Sequence, residues 1–573
     1  MRLLLIFVFA LQLGCGGGGG SSSSGSNAVG TEPETEETLP EEEEILLPFQ
    51  SYVQVDQSRG GECEGVIDTD APIISNGFGF DLGNTRNQAS IITSDNVANL
   101  TLNYVYSQEG VTEKRGAPAA TAQAIFLTGG KELVAINRLS GCRYWRYTAE
   151  DSGDGFRSSA IIFVPATGDA PSLVYAGDFN GNVYAINAET GELVWRAFSG
   201  SIPVLHFITG GLQYFNGTLF VPVSSKEVIS SALYPQFPCC RSHGMLVAFD
   251  ALTGERRWEY HTTEDASEVI VAGQRVGPNG APIWSTPTID AVRNVVYVGT
   301  GQNYTEPTTG TSDAIIALDI DSGEVNWIFQ ATANDAWNAA CEIPNSMHCP
   351  DPEGHDFDFG SAPIVVDDGK TLIAGDKGGM VYSINASDGS LNWTRKVSIG
   401  SKLGGIHWGM AVDDSNVYAA ATDFEINKAS GELSELRVGA NPGIYALSLT
   451  TGELVWEIHP SREYEGLDTP VLYSAALSVS NDLLFGGSLD GMVRAFSVVD
   501  GRELWAYDTF MPVTDINDVQ GNGATIDSVG VVIAGDGILV NSGYSTFLGG
   551  GVGKYQAGTG NSLFVIQLAT DND

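Results

Sequence analysis

The cysteines are the residues of this sequence with the most distinctive chemical potential, because two of the seven, Cys239 and Cys240, are adjacent. Cys15 ends an apolar N-terminal run, which leaves six cysteines in the rest of the chain. An even number of cysteines in an exported protein predicts disulfides, and six cysteines allow fifteen pairings. Closeness in the chain favours two pairs and leaves a third: Cys239–Cys240, Cys341–Cys349 and Cys63–Cys142.

Several other kinds of chemistry lack their sequence signature. No Cys-x-x-Cys-His sequence is present, so no covalently attached c-type haem is expected. Neither a Ser-His-Asp hydrolase signature nor a Walker loop stands out. The 70 acidic and 28 basic residues give a net charge of −42. This charge argues against a nucleic-acid partner and against docking on anionic lipid, because both need a Lys- or Arg-rich surface.

The composition of the first 45 residues predicts a targeting signal followed by a tether. Residues 1–15 form a secretory signal with a charged start and a short apolar run, and Cys15 directly after Gly14 resembles a bacterial lipoprotein cleavage site. The match is imperfect, because Gln12 stands where such sites usually have Leu, and an ordinary signal peptide is the alternative. Residues 16–45 are Gly/Ser-rich and then Glu-rich, a composition typical of a disordered tether. We therefore expect an exported protein whose lipidated Cys15 anchors it to the cell envelope, on the periplasmic or surface face of the outer membrane.

A repeated phrase predicts the fold of the remaining chain. In each copy, alternating apolar residues lead to a turn that ends in Gly, and Trp follows four residues later. Alternation predicts strands with one buried face, and the Gly predicts a tight turn. The seven copies recur every 49–69 residues, which indicates a repeat architecture: Gly141/Trp145, Gly191/Trp195, Gly254/Trp258, Gly323/Trp327, Gly389/Trp393, Gly452/Trp456 and Gly501/Trp505.

The two ends of the chain supply an eighth unit. Residues 562–568 match the strand before the turn, and residues 100–106 can provide the missing outer strand. Joining them closes the ring and removes an exposed sheet edge. The sequence therefore predicts an all-β, eight-bladed β-propeller over 75–573, preceded by a lead-in segment over 46–74.

The repeat resembles the tryptophan docking repeat of quinoprotein alcohol dehydrogenases, which are eight-bladed propellers that bind pyrroloquinoline quinone (PQQ) and usually Ca²⁺. Within that family, the chain is most similar to the polyvinyl alcohol dehydrogenases. The segments that carry this similarity are 76–86, 140–145, 238–240, 283–290, 299–304, 335–338, 357–360 and 404–409.

The resemblance implies how PQQ and a cation are held. Trp284 matches the stacking Trp of the family, and Trp408 is another of the three Trp outside the repeats that could serve as a stacking face. Cys239-Cys240 resembles the family's adjacent pair and would cover the other face of the quinone. Arg157 and Lys377 are the predicted cations for its carboxylates and oxygens. Glu227 and an amide, Gln302 or Asn303, are the predicted Ca²⁺ ligands. The alternative to these binding roles is a purely structural one, in surface ion pairs, polar loops and ordinary packing.

At the position of the base that takes the alcohol proton, this chain departs from the family pattern. Methanol dehydrogenases have Asp directly after the Trp that corresponds to Trp337, whereas this chain has Asn338. An amide cannot accept a proton at neutral pH. Asp335, three residues earlier, is the substitute that we predict, and Lys377 would stabilise charge on the reduced quinone.

These features predict a PQQ-dependent alcohol dehydrogenase that oxidises secondary alcohol groups of a small or polymeric substrate. Because no haem motif is present, electrons would pass to a separate soluble cytochrome c. The alternative is a non-catalytic propeller lipoprotein, either an outer-membrane assembly scaffold or a binding module. Asn338 favours that alternative, whereas the adjacent cysteines and the three additional Trp residues argue against it.

Overall fold

Eight antiparallel sheets form an eight-bladed β-propeller in this computed structural model, which confirms the predicted fold. The structure describes residues 53–569 except 55–56, 166–169, 235, 272–273, 276, 402, 425–435, 437, 465 and 545–558. The predicted signal peptide, Cys15 and the predicted tether lie outside the described residues. None of the helices in the described ranges is long and apolar enough to cross a membrane.

Blades 1–4 follow one another along the chain, and their strands are hydrogen-bonded in sequence order except in blade 3, where two short strands both pair with Thr218–Ser225. Blade 1 contains Ile73–Ser75, Ala119–Thr121, Ala124–Gly129, Glu132–Asn137 and Arg143–Thr148. Blade 2 contains Ile161–Phe163, Leu173–Gly177, Asn182–Asn187 and Leu193–Phe198. Blade 3 contains His206–Phe207, Gln213–Phe215, Thr218–Ser225, Met245–Asp250 and Arg256–His261. Blade 4 contains Thr288–Asp290, Val295–Gly299, Ala314–Asp319 and Val325–Gln330.

Blades 5–8 complete the ring. Blade 5 contains Ile364–Val366, Thr371–Gly375, Met380–Asn385 and Leu391–Lys396. Blade 6 contains Ala411–Val412, Asn416–Ala421, Gly443–Ser448 and Leu454–Ile458. Blade 7 contains Ser478–Ser480, Leu483–Gly487, Met492–Ser497 and Glu503–Asp508. Blade 8 contains Val531–Ala534, Gly537–Ser542 and Ser562–Leu568, with Leu100–Ser107 as its outer strand.

The described residues include few other elements. Short strands are Val53–Gln54, Pro512–Thr514, Gln520–Asn522, Ile270–Val271, Gln274–Arg275, Ser461–Tyr464 and Leu467–Pro470. One α-helix, Glu227–Leu233, leaves blade 3 between two of its strands, and 3₁₀ turns form at Gln57–Arg59, Val97–Asn99 and Ala339–Glu342.

Six of the seven repeat Trp residues, all except Trp505, join their blade to the next by a hydrogen bond given for the described residues. The indole N–H of Trp258, on the outer strand of blade 3, donates to the Ile320 carbonyl of blade 4 at 2.9 Å. Gly323 has a φ of +72°, and a Cβ there would lie 2.6 Å from the Trp258 ring. The turn therefore needs Gly both for its backbone conformation and for contact with the indole. Five more repeat Trp residues donate in the same way: Trp145, Trp195, Trp327, Trp393 and Trp456.

Blade 8 closes the ring with the two ends of the chain, as predicted. Leu100–Ser107 pairs antiparallel with Ser562–Leu568. Its Tyr104 takes the place of the docking Trp, because the hydroxyl donates to the carbonyls of Asn137 and Arg138 at 3.1 and 3.0 Å. The ring also lies 3.0 Å from a Cβ built at Gly141, the turn Gly of blade 1.

The predicted lead-in segment contacts the propeller from residue 53 onwards. Val53–Gln54 runs parallel to Pro512–Thr514. A disulfide joins Cys63 to Cys142, and Ile73–Ser75 is already a strand of blade 1. The structure also contains disulfides between Cys239 and Cys240 and between Cys341 and Cys349.

Residues 76–92, which we name the central segment, run around the inner strands of the blades. The segment hydrogen-bonds to seven blades in succession. Its contacts are Asn76 to the Ile162 backbone (blade 2), Gln213 to the Asp81 carbonyl (blade 3), Leu82 to Ile289 (blade 4), Gly83 to Val365 (blade 5), Thr85 to Val412 (blade 6), Arg86 to Val479 (blade 7) and Ile91 to Gly535 (blade 8). Residues 76–86, which carry one of the family motifs, therefore contact the inner strands of successive blades around the propeller axis.

Arg86 fixes this segment to blades 7 and 8. Its side chain is buried, and it donates to the carbonyls of Phe78, Leu477, Val529 and Val531 and to the Ser478 hydroxyl. The guanidinium also lies 4.7 Å from the centroid of the Phe80 ring. Burial lowers its pKa to about 9, so Arg86 remains a cation at neutral pH.

Replacing Arg86 tests whether the central segment stabilises the propeller. We expect Arg86→Leu to lower the free energy of unfolding by about 3 kcal/mol or more, because four carbonyls and a hydroxyl lose their buried donor. Denaturant unfolding followed by Trp fluorescence measures this loss. Arg502→Leu is the matched control, since the Arg502 side chain is 70% exposed, and it should change stability by less than about 0.5 kcal/mol. Equal stabilities of the two variants would contradict this role.

Candidate functional site

Trp284 lies at the centre of the propeller, just before the first strand of blade 4. Its indole meets the Trp408 ring edge-on, with the centroids 5.3 Å apart. Gly360 allows this placement, because a Cβ there would lie 1.9 Å from the Trp284 ring. The indole N–H donates to Asp358 Oδ2 at 2.8 Å. Trp284 is therefore held in one orientation by packing and by a hydrogen bond to Asp358.

A cavity lies beside Trp284. Its walls combine aromatic rings, hydroxyls and two arginines, among them Phe78, Arg115, Arg157, Thr209, Trp284 and Trp408. Phe78 belongs to the central segment, so the segment forms part of the cavity wall. The structure thus brings together three of the predicted cofactor residues, namely Trp284, Trp408 and Arg157.

Arg115 is a cavity cation that the sequence analysis missed. Its guanidinium lies 4.5 Å from the Tyr544 ring and 5.1 Å from the Trp408 ring, and its Nε has no hydrogen-bond partner within the described residues. Arg157, by contrast, pairs with Glu113 at 3.4 Å and lies over the Phe179 ring. No repeat or motif marks Arg115, because only folding brings the segment before the blade 1 strand Ala119–Thr121 against Trp408 and against Tyr544, which follows the blade 8 strand Gly537–Ser542.

Asp358 connects the cavity to two of the predicted site residues. Besides Trp284, it accepts a hydrogen bond from the Gln302 backbone N–H at 3.2 Å through Oδ1. Lys377 Nζ lies 3.9 Å from Asp358 Oδ2 and 2.7 Å from Asp356 Oδ2. The motif 357–360 marked this segment in the sequence, but the role of its Asp was not recognised.

Buried acids surround Lys377. Burial by itself disfavours the ammonium, but Asp356 and Asp358 outweigh it and raise the pKa of Lys377 above its ordinary value, so the side chain stays protonated. Burial raises the pKa of Asp356 to about 7 and that of Asp376 to about 7. Lys377 is therefore a permanent positive charge beside Asp356, whose carboxyl holds its proton more tightly than usual.

Glu227 and Gln302 each present an oxygen that lacks a hydrogen-bond donor among the described residues. Glu227 begins the α-helix; its Oε2 accepts from the N–H groups of Arg241 and Ser242 at 2.9 and 2.6 Å, whereas its Oε1 is buried and unpartnered. The Gln302 side chain donates to the Trp337 carbonyl at 3.3 Å and leaves Oε1 unpartnered. One carboxylate oxygen and one amide oxygen suit a hard cation such as Ca²⁺.

The Asn303 amide is occupied differently. Its Nδ2 donates to the Asn279 carbonyl at 2.7 Å, and its Oδ1 accepts from the Thr309 N–H at 2.7 Å. Between the two amides that the sequence left open, the hydrogen bonding therefore favours Gln302 as the cation ligand.

Asp335, the candidate base, and Asn338 have different roles in the structure. Asn338 caps the turn Ala339–Glu342 and donates to the carbonyls of Tyr304 and His348, both at 2.8 Å, so its amide is structural. Asp335 accepts from the His355 N–H at 2.5 Å. Burial raises the pKa of Asp335 to about 7, and the charges of nearby Asp358 and Asp356 add to this rise. Asp335 can therefore both take and release a proton near neutral pH.

The Cys239–Cys240 disulfide is buried against Tyr304, Val228 and Phe237. Neither cysteine is among the residues that line the cavity beside Trp284. The pair lies in the segment that leads from the helix Glu227–Leu233 to the strand Met245–Asp250. Its nearest predicted site residue in the chain is Glu227. The described contacts therefore associate the pair with the candidate cation ligands.

Comparison with known proteins first identifies the repeat. The family described as "Glucose/ethanol/alcohol dehydrogenase, beta-propeller domain" matches residues 78–347. The family described as "Outer membrane protein assembly factor BamB" matches residues 311–565. Each match covers less than half of the chain, so these matches alone do not distinguish a dehydrogenase from a scaffold.

Relatives of known name cover far more of the chain. A polyvinylalcohol dehydrogenase from Pseudomonas sp is 34% identical over 527 residues, which cover 89% of this chain and 80% of that protein. The protein of that name from Sphingopyxis sp. (strain 113P3) is 34% identical over 505 residues, with coverages of 85% and 75%. The crystal structure of quinohemoprotein alcohol dehydrogenase from Comamonas testosteroni shares the fold, with a TM-score of 0.61, 18% identity and coverages of 88% and 83%.

The propeller, its docking repeat and the long match to two named relatives agree with one another. The similarity to the polyvinyl alcohol dehydrogenases extends over the blades that carry the cavity, the acid cluster and the candidate cation ligands. The chain belongs to the polyvinyl alcohol dehydrogenase family of PQQ-dependent β-propeller oxidoreductases.

Proposed function

We propose that this alcohol oxidoreductase oxidises secondary alcohol groups of a small or polymeric polyol and passes the electrons to a soluble cytochrome c. The observation that carries the proposal is the cavity at Trp284, which is lined by this indole and by Arg115 and Arg157. The Lys377 ammonium lies outside the lining and reaches it through Asp358, which accepts from the Trp284 indole. The indole offers a flat stacking surface, and the cations match an anionic quinone in charge. The wider match to polyvinyl alcohol dehydrogenases supports the secondary alcohol as substrate class.

The residues around the cavity fit PQQ by their chemistry. Trp284 would offer its ring as a stacking surface, and Arg115 and Arg157 would pair with carboxylates. Arg115 is the better placed of the two, because its Nε lacks a partner within the described residues whereas Arg157 already contacts Glu113. Lys377 would hold its positive charge near the quinone oxygens through its pairing with Asp356.

Glu227 and Gln302 would hold Ca²⁺ with the two oxygens that lack donors. A buried carboxylate oxygen without a donor is costly unless a cation or a proton balances it, and a divalent cation meets this need. Arg241 and Ser242 would keep the Glu227 carboxylate oriented by occupying Oε2 only.

When bound, PQQ supplies the two-electron acceptor for the hydride of the alcohol carbon. The protein residues then have separate tasks. Asp335 would take the hydroxyl proton, since its pKa of about 7 suits a general base at neutral pH and Asn338 cannot do so. Lys377 would stabilise negative charge as it develops on the acceptor. Trp284 and Trp408 would exclude water from the cavity.

The place of the protein in the cell is part of the proposal. The signal-like residues 1–15 and the Gly/Ser tether support export with a lipid on Cys15, and a separate cytochrome c is consistent with the absence of a haem-attachment motif from the sequence. Membrane fractionation of cells that express Cys15→Ser tests the anchor, because a lipoprotein would leave the membrane fraction on this change.

Titration of the metal-free protein with PQQ and Ca²⁺ tests the function. We expect one equivalent of PQQ to bind with a shift in its absorbance, and the loaded protein to reduce a dye when a secondary alcohol is added. Trp284→Ala should abolish binding, whereas Trp505→Phe, outside the cavity, should retain it. Failure of the wild-type protein to bind PQQ would favour the scaffold; binding without turnover would contradict the role of Asp335.

Lys377 should matter for the rate more than for assembly. We expect Lys377→Met to lower kcat by about 10²-fold or more, since a buried charge aimed at the acceptor is lost, and Lys377→Arg to restore part of it. Steady-state dye reduction with PQQ-loaded protein measures this. Lys396→Met is the matched control, because Lys396 is exposed on the outer strand of the same blade, and its kcat should equal that of the wild type.

Asp376, the residue before Lys377, should make the stability of the cofactor-free protein depend on pH. Its pKa rises from about 3.8 unfolded to about 7 folded, so its protonated form stabilises the fold and this contribution is lost as the pH rises from about 4 towards 7. Asp376→Asn keeps an acceptor for the Met380 N–H, places an amide donor beside the Tyr382 hydroxyl and removes the titration. We therefore expect this variant to gain stability over the wild type as the pH rises, in thermal unfolding at several pH values.

The control for this prediction is Asp321→Asn, at an exposed turn. Its stability relative to the wild type should not vary with pH in the same range. A constant difference between Asp376→Asn and the wild type from pH 4 to 8 would show that Asp376 does not titrate on unfolding.

A further inference from the structure

The Cys239–Cys240 disulfide packs against Val228 and Tyr304, which are close in the chain to the two candidate cation ligands, Glu227 and Gln302. Both cysteines are fully buried. They belong to the segment between the helix Glu227–Leu233 and the strand Met245–Asp250, which is part of the connection between two strands of blade 3. A bond between neighbouring side chains restricts the torsions of both residues, so this part of the segment has few conformations available to it.

One side of the disulfide contacts the Glu227 half of the site. Val228, the residue after Glu227, packs against the pair, as does Phe237. The residues that follow Cys240 are Arg241 and Ser242, whose N–H groups bind Glu227 Oε2 at 2.9 and 2.6 Å. The Ser242 hydroxyl donates to the same oxygen. The disulfide therefore directly precedes the two residues that orient the carboxylate.

The other side contacts the Gln302 half. The Tyr304 ring, two residues after Gln302, is buried against both cysteines. Its hydroxyl also donates to the Ser225 carbonyl at 3.5 Å, which links it back to blade 3. The Asn279 amide joins the halves a second time, because its Nδ2 donates to the Cys240 carbonyl at 3.2 Å and to Thr305 Oγ1 at 2.6 Å.

We infer that the Cys239–Cys240 disulfide is a positioning pair that fixes the Glu227 carboxylate relative to the Gln302 amide, and so sets the affinity for a divalent cation. This inference rests on the cation site of the proposed function and deepens it. It differs from a cover over the quinone, because the pair is packed between the ligand-bearing segments and does not line the cavity. Without the bond, the segment that carries Arg241 and Ser242 could move away from Glu227.

The test measures Ca²⁺ affinity in the full-length protein loaded with PQQ. Isothermal titration with Ca²⁺ would compare the wild type with the double variant Cys239→Ala/Cys240→Ala. We expect the dissociation constant of the variant to rise at least tenfold. The matched control is Cys63→Ala/Cys142→Ala, which removes the disulfide of blade 1, and its affinity should stay within twofold of the wild type. Equal affinities of the Cys239→Ala/Cys240→Ala variant and the wild type would overturn the inference.

A second variant guards against misfolding. Tyr304→Leu removes the ring that packs against the disulfide and keeps both cysteines, so it should also weaken Ca²⁺ binding severalfold. If Tyr304→Leu and the double cysteine variant both keep wild-type Ca²⁺ affinity but lose PQQ, the pair acts on the quinone and the inference is wrong. If the wild type binds PQQ but no Ca²⁺, the cation site and the inference both fail. If the wild type binds Ca²⁺ but does not bind PQQ, the proposed function fails. The cysteine variants then still test the inference by their affinity for Ca²⁺ alone.

Discussion

The contact between the docking Trp of one blade and the turn Gly of the next is the interaction on which the rest of the structure depends. It combines ring contact with an indole hydrogen bond to the neighbouring blade, and it recurs around the ring. In blade 8, which combines strands from the two ends of the chain, Tyr104 makes the same contact with a hydroxyl in place of the indole N–H. This repeated contact therefore holds neighbouring blades together at seven of the junctions among the described residues.

The central segment converts the ring into a site. A bare propeller has an axial channel, but residues 76–92 bond to the inner strands of blade after blade and place Phe78 in the cavity wall. Arg86 anchors the segment by donating to the buried carbonyls of Leu477, Val529 and Val531. The cavity at Trp284 therefore owes one wall to a segment that belongs to no repeat.

The chemistry of the site arises from charges that water cannot screen. Lys377 keeps its proton because Asp356 and Asp358 lie beside it, whereas Asp335 and Asp356 hold protons more tightly because they are buried. A permanent cation near a carboxyl that titrates close to neutral pH suits hydride and proton removal from an alcohol. The disulfide between Cys239 and Cys240 adds order to the cation ligands from outside this cluster.

The sequence by itself determined the all-β repeat, the number of blades and the closure by the two chain ends, because strand alternation, turn Gly and docking Trp are local patterns with fixed spacing. It also marked Trp284, Glu227, Gln302 and Lys377 through their motifs. It did not identify Arg115 or Asp358, nor the environment of Cys239 and Cys240, and although the register selected Gln302, it kept Asn303 as the alternative ligand. Those depended on tertiary structure, because burial, unpartnered oxygens and converging charges arise only when residues from distant blades meet at the axis.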